Sequence, residues 1–305
     1  MSQVPAAAAR PAPNPTTVLS LVQHMAQRLA DGGVAFGHGT RNAFDEAAWL
    51  TLWQLGLPLD SLDEVAQNSV SEDQGRAVQA LVQRRIQTRQ PAAYLTGEAW
   101  LQGVSFEVNE HVIVPRSLIA EPLADGTLDL WLGQHTQHVL DLCTGNGSLA
   151  VLAALAWPEV HVDASDLSAE ALAVARRNVH RHGLTERISL HQGDGLAAVS
   201  GRYDLILCNP PYVNRQSMQA LPPEFLAEPR IALDGNTNGS DDGMDFIRPL
   251  LAQARQHLNP GGVLVLEVGH ERAHFDTAFP HLLATWLTTS AGDDQVLLLT
   301  QDQLP

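Results

Sequence analysis

No run of about eighteen apolar residues occurs in the chain, so a membrane-spanning helix is not expected. Cysteine is scarce: Cys143 and Cys208 are the only two. That is too few for a disulfide framework in a chain of this size, and a reducing compartment, the cytoplasm, is expected. Met1 to Pro15 has neither a basic start followed by an apolar stretch nor a lipidation signal, so export is not expected. Basic residues are also in deficit. Lys plus Arg number 18 against 34 Asp plus Glu, a formal net charge of −16. Such a surface repels a phosphate backbone and attracts a basic protein, so direct binding to long nucleic acid is not expected. No aromatic and basic stripe suited to nucleic acid is present either.

Other chemistries fail for want of their residues. The 13 histidines include His135 with His138 and His180 with His182, but no cysteines accompany them at ligand spacing, so no metal is expected. Gly-x-Ser-x-Gly is absent, and Gly239-Ser240 has no nucleophile elbow around it. Cys143 and Cys208 end neighbouring strand candidates and read as buried, inert thiols.

What is present is length and pattern. The 305 residues make about two domains at roughly 150 residues each. Residues 1–16, rich in Ala and Pro, cannot bury enough apolar surface to order themselves and read as a disordered tail. From Thr17 to about residue 95 apolar residues recur at helical spacing: Leu19, Val22, Met25 and Leu29, then Trp49, Leu52 and Trp53, then Val78, Leu81, Val82 and Ile86. Asp45-Glu46 and Ser71-Glu72-Asp73 place acidic groups at helix starts. Over 96–115 the period becomes two. Trp100, Val104, Phe106 and Val108, then Val112 and Val114, flank Asn109-Glu110-His111 and suggest a linking β-hairpin.

Over 116–305 short apolar runs alternate with helical ones. Strands are expected at His138–Leu142, Val160–Asp166, Ile188–His191, Tyr203–Cys208, Val263–Val268, Thr285–Thr288 and Val296–Thr300, with helices at Ser148–Trp157 and Ala169–His182. The order implies an α/β fold, a mostly parallel Rossmann-like sheet with crossover helices.

Two motifs carry chemistry. In Asp141-Leu142-Cys143-Thr144-Gly145-Asn146-Gly147 a strand runs into a glycine turn, where a ligand can approach the backbone closely. Asp166 follows about 20 residues on, at the end of the next strand, where a carboxylate can accept both hydroxyls of a ribose. Spacing alone fits a dinucleotide or S-adenosylmethionine. Asp141 favours the latter, because a carboxylate there opposes a pyrophosphate but suits an ammonium and a sulfonium. Equally, it can simply accept N–H groups of the turn. Asp194, before Gly195, either receives an adenine amino group or is an exposed turn residue.

The second motif is Asn209-Pro210-Pro211-Tyr212 at the end of Tyr203–Cys208. Two prolines fix the backbone there, so the Asn209 side chain and the Pro210 carbonyl are expected to aim two acceptors at one spot. A planar NH₂ group donates two hydrogens and would be gripped by them, with Tyr212 packed on its face. That selects an amide or amino nitrogen as methyl acceptor. The acidic, glycine-rich stretch from Glu228 to Gly243 either closes over a basic substrate or is a solvated turn.

These residues, together with Gly97-Glu98, Val114-Pro115-Arg116 and Glu228-Pro229-Arg230, resemble the glutamine N5-methyltransferases that modify release factors and a ribosomal protein. Asn-Pro-Pro-Tyr also occurs in adenine methyltransferases, whereas the helical N-terminal part plus hairpin is more specific. Pro115-Arg116-Ser117-Leu118-Ile119-Ala120-Glu121 is similar to the branch acting on large-subunit ribosomal protein L three, as are Thr285-Trp286-Leu287, Gly292-Asp293 and Leu299-Thr300. Leu118 and Asp294 depart from that branch's proline and glycine.

The resemblance implies an S-adenosylmethionine-dependent fold with an antiparallel C-terminal strand, S-adenosylhomocysteine as product, and protein L three as substrate. It makes 17–95 a substrate-recognition domain and 116–305 the catalytic domain. Cofactor contacts would come from Asp141, Cys143, Thr144, Gly145, Gly147, Asp166, Leu167, Asp194, Gly195 and Asn209. Asn209, Pro210, Pro211 and Tyr212 would hold the glutamine, with Asn209, Pro210 and Tyr212 catalytic. Release-factor methylation is the alternative, and an adenine or guanine methyltransferase on nucleic acid a more distant one.

Overall fold

The computed structural model describes residues 17–133 and 136–305; the expected tail and His135 lie outside them. The chain divides into two compact units. Residues 17–34 and 40–88 form the smaller; 35–39 and 89–305 form the larger.

The smaller unit is helical. Thr17 caps α1 (Val18–Asp31) through a reciprocal bond with Ser20, and α1 buries Leu21, Val22, Met25 and Leu29 on one stripe. Asn42 caps α2 (Ala43–Leu55), and Gly56, in the left-handed region, ends it. The third long helix, α3 (Glu72–Thr88), buries Val78, Leu81 and Val82. Glu46 stands in the first turn of α2, as expected, but does more than face the helix dipole. It is fully buried, and the Arg85 Nε donates to it at 2.9 Å. Trp53 is exposed rather than part of the apolar stripe.

In the larger unit β1 (Glu98–Leu101) and β2 (Val104–Glu107) form the hairpin. Its turn is Gln102-Gly103, both with positive φ, as a two-residue hairpin turn of this hand requires. The expected turn at Asn109-Glu110-His111 instead follows the hairpin; Gly103 closes the turn earlier, with Gln102 carried into positive φ beside it.

The main sheet contains β3 (His138–Leu142), β4 (His161–Asp166), β5 (Ile188–Gln192), β6 (Tyr203–Cys208), β7 (Leu258–Glu267), β8 (Thr285–Thr289) and β9 (Gly292–Thr300). The strand order is β5-β4-β3-β6-β7-β9-β8. Strands β3 to β7 run parallel, while β9 is antiparallel to both β7 and β8. This is the mostly parallel, Rossmann-like sheet with an antiparallel C-terminal strand that the sequence implied. Strand β7 begins at Leu258, ahead of the expected Val263: Leu258 pairs with Tyr203, and the Asn-Pro-Gly-Gly run then bulges out of register before Val263 pairs with Leu205.

Residues along each central strand alternate between two cores. Val139, Leu205, Leu207, Val263 and Val265 pack with the helix α4 (Ser148–Ala156), while Leu140, Leu142, Ile206, Leu264 and Leu266 face Ile247, Leu250 and Leu251. The order reverses between β3 and β6, so a crevice opens beyond their C-terminal ends. Among the described residues no helix is long and apolar enough to cross a membrane.

Candidate active site

Strand β3 leaves the sheet through a turn that is satisfied from within. Cys143, Gly145 and Gly147 all have positive φ, at 62°, 56° and 81°. A Cβ at Gly147 would stand 3.2 Å from that of Ala175, so this glycine also lets α4 approach the helix α5 (Ala169–Arg181). Asp141 Oδ2 accepts the Thr144 hydroxyl at 2.5 Å and the Ala150 N–H at 2.9 Å. Its Oδ1 is buried without a hydrogen-bond partner among the described residues. Burial pushes the Asp141 carboxyl up to about 7, against those two donors. The Asp166 carboxylate joins β4 to the turn: Oδ2 accepts the Gly145 N–H and Oδ1 that of Ser168, each at 2.9 Å. Burial raises Asp166 as well.

A cavity of about 380 Å³ lies beside this turn, within the size range of cofactor pockets. Of the residues singled out in the sequence, Cys143, Gly145, Asp166, Leu167, Asp194, Gly195, Asn209 and Pro211 line it. Asp141, Thr144, Gly147, Pro210 and Tyr212 stand outside its lining. The cavity is completed by residues that motif reading missed, His111, Val112 and Ile113 after the hairpin with Phe246 and Pro249 opposite, and by Pro229, Ile231, Ala232, Asp234 and Gly235 of the glycine-rich stretch already singled out. Interaction with the neighbouring Cys208, together with burial, holds the Cys143 thiol well above its ordinary range.

Strand β6 leaves the sheet differently. Its rigid Asn209–Tyr212 segment is held by neighbours from distant parts of the chain. The Val213 N–H donates to the Leu233 carbonyl at 2.9 Å, and Gly235 N–H to the Val213 carbonyl at 3.1 Å. A Cβ at Gly243 would collide with the Tyr212 carbonyl, and one at Gly269 would stand 2.5 Å from the Tyr212 ring. The Tyr212 hydroxyl donates to Glu267 Oε1 at 3.2 Å. Burial and that carboxylate push the phenol far above its usual range.

The stretch after this edge is braced by Arg116. Its guanidinium donates to both oxygens of Glu228, at 2.6 and 2.7 Å, and the Val114 N–H adds a third bond at 2.9 Å. Burial alone would raise Glu228, but Arg116 and His38 outweigh it and hold the carboxyl down to about 2. The acidic residues of the stretch are paired close by: Asp234 with Arg230, Asp242 with Arg248, Asp241 with Arg215. Pro229, Ile231, Ala232 and Gly235 of the same stretch wall the cavity, so it is neither a bare acidic surface nor a simple solvated turn.

A crevice with the Asp166 carboxylate at the end of β4, the glycine turn after β3 and Asn209 after β6 on one cavity can take a bound small molecule and a second group beside it. Comparison with known proteins agrees. Residues 127–240 match the family model described as a methyltransferase small domain. Over 291 residues the chain is 50% identical to a protein of Bordetella pertussis named ribosomal protein uL3 glutamine methyltransferase, covering 94% of this chain and 96% of that one. Proteins of the same name from Burkholderia pseudomallei and Bradyrhizobium diazoefficiens are 48% and 42% identical, covering 95% and 94% of this chain and 96% and 92% of theirs.

Proposed function

The chain belongs to the ribosomal protein uL3 glutamine methyltransferases, and from that membership we propose that it transfers a methyl group from S-adenosylmethionine to the side-chain amide nitrogen of a glutamine in uL3, the large-subunit protein L three. The observation that carries the site assignment is the adjacency of β3 and β6. Leu142 pairs with Cys208 at the sheet's edge, so the glycine turn and Asn209 open onto one cavity.

The residues present suit the methyl donor. Asp166 lines the cavity with a carboxylate fit for two ribose hydroxyls, Leu167 and Phe246 offer apolar surface to a flat base, and Asp194 offers an acceptor to its amino group. Asp141 Oδ1, buried and unpartnered among the described residues, is the group an ammonium would satisfy. When bound, S-adenosylmethionine supplies a methyl carbon made electrophilic by its sulfonium.

Asn209 and the Pro210 carbonyl accept the two N–H bonds of the glutamine amide, and Tyr212 packs on its face. An amide nitrogen is a weak nucleophile because its lone pair is delocalised into the carbonyl. Holding both N–H bonds raises electron density on nitrogen and aligns it, so positioning and electrostatics supply the rate. The proton leaves after transfer, when the nitrogen is cationic and acidic, and no strong base is required.

A net charge of −16 fits a basic ribosomal protein met in the cytoplasm and disfavours long nucleic acid. Tritiated methyl donor with free uL3, assembled large subunits and release factor side by side tests this reading. Free uL3 is expected to label best, with kcat/KM falling as salt screens the attraction. Preferential labelling of release factor would overturn the substrate while leaving the glutamine chemistry intact.

A further inference from the structure

Strand β7 runs beside β6, pairing Leu207 with Val265 and Cys208 with Leu266, so Glu267 comes next in register, level with Asn209. It is a carboxylate at the end of an apolar strand, only 4% exposed. A charge so placed is costly unless its oxygens are filled by donors. Three fill them: the Ser117 hydroxyl at 2.6 Å and the Leu118 N–H at 2.9 Å on Oε2, and the Tyr212 hydroxyl at 3.2 Å on Oε1.

One turn further on, Glu271 is also buried. Both its oxygens accept from the Asn214 side-chain amide, at 2.8 and 2.7 Å, and one also accepts the Asn214 N–H at 3.2 Å. Gly269, between the two carboxylates, brings the backbone against the Tyr212 ring. The Tyr212–Asn214 segment is thus held at both ends from one turn after β7. With Asn214 anchored independently, loss of the Glu267 contact would free the Tyr212 ring without releasing the whole segment.

We propose that Glu267 is a positioning residue for methyl transfer: oriented by Ser117 and the Leu118 N–H, it fixes the Tyr212 ring through the phenol hydroxyl and so sets the face against which the acceptor amide lies. This rests on the reading of Asn209–Tyr212 as the amide-binding edge. All three neighbours of Glu267 donate in the structure, so Glu267→Gln, at constant volume, either sets an –NH₂ against the Leu118 N–H or forces the Tyr212 hydroxyl to turn and accept, and both shift the ring. Ser117→Ala removes one orienting bond and is the milder variant.

The test is a double-mutant cycle on single-turnover methylation of free uL3, with cofactor affinity measured by calorimetry. Glu267→Gln is expected to lower the rate about tenfold, the scale of a small misplacement of a reacting group, with cofactor affinity unchanged. Ser117→Ala is expected to lower it less. In a Tyr212→Phe background both losses should vanish, because Glu267 acts through the hydroxyl that this change removes. A fall of equal size in that background would show a role merely in holding the fold and would overturn the proposal.

A second arm needs no activity. The chain has 3 tyrosines, so labelling the phenol ring carbon that bears the hydroxyl with carbon-13 gives three resonances. The one lost in Tyr212→Phe is expected to move in Glu267→Gln and in Ser117→Ala; a stationary resonance would overturn the proposal. Should the parent enzyme fail to methylate uL3, the substrate reading falls, and this arm still judges the Glu267–Tyr212 contact.

Discussion

Strands β3 and β6 lie side by side, run parallel and end at the same edge, yet the two segments that leave them are stabilised in opposite ways. The turn after β3 closes on itself: Asp141 serves Thr144 and Ala150, and Asp166, one strand away, serves Gly145. The segment after β6 has proline stiffness but its fixed position comes from elsewhere, from Glu267, Glu271, Gly243, Gly269 and the pairing of Val213 with 233–235. A cofactor common to a whole fold class suits a self-contained cradle. An acceptor site that must choose one amide is better served by a segment whose position depends on the surrounding fold.

The largest effect should come from removing the brace of the second region. Arg116→Met leaves Glu228 buried without its main partner and is expected to cost about 3–5 kcal/mol, read by thermal or denaturant unfolding. The loss should depend on pH. Glu228 is held at about 2 in the folded chain against an ordinary 4.5, so the stability it contributes is complete above about 4.5 and disappears as pH falls toward 2. The gap between parent and variant should therefore narrow through that window; a constant gap would mean that packing, not the ion pair, was lost.

Next comes Asn209→Ala, expected to lower the single-turnover rate about 10²–10³-fold while cofactor affinity stays within a few-fold. Near-parent turnover would mean that the second region does not hold the acceptor. Asp166→Ala, in the first region, should do the reverse, weakening S-adenosylmethionine by about 1.5–3 kcal/mol in calorimetry, the scale of a lost charged hydrogen-bond partner. The smallest effect sharpens the contrast between the turns. Gly145→Ala meets no atom within 4 Å and pays only for its positive φ, about 1–2 kcal/mol, whereas Gly243→Ala adds a collision with the Tyr212 carbonyl and should unfold earlier on heating. Equal melting temperatures would erase the distinction.

The same contrast explains what could be read from the sequence. The glycine turn, Asp166 and the alternation of strands with helices are local patterns, and the structure places Gly145, Asp166 and Asn209 on one cavity. Ile113, Phe246 and Pro249 escaped notice because nothing local marks an apolar residue as lining a cavity rather than filling a core. Glu267 and Glu271 lie some 55 residues beyond the segment they hold, and only their burial reveals them. One signal was available: an acidic residue closing the apolar run Val263–Leu266 had to find donors. The hairpin turn was misplaced for a related reason, since Gln102 takes positive φ without being a usual turn residue.

The central claim is that the β6 edge presents a glutamine amide to the methyl donor. Fragmentation mass spectrometry of free uL3, incubated with methyl donor and either the parent enzyme or Asn209→Ala, tests it most directly. The account predicts a single methyl increment on one glutamine side-chain nitrogen with the parent and little or none with the variant in the same time. A methyl group on any other side chain, or equal glutamine methylation by both enzymes, would contradict it.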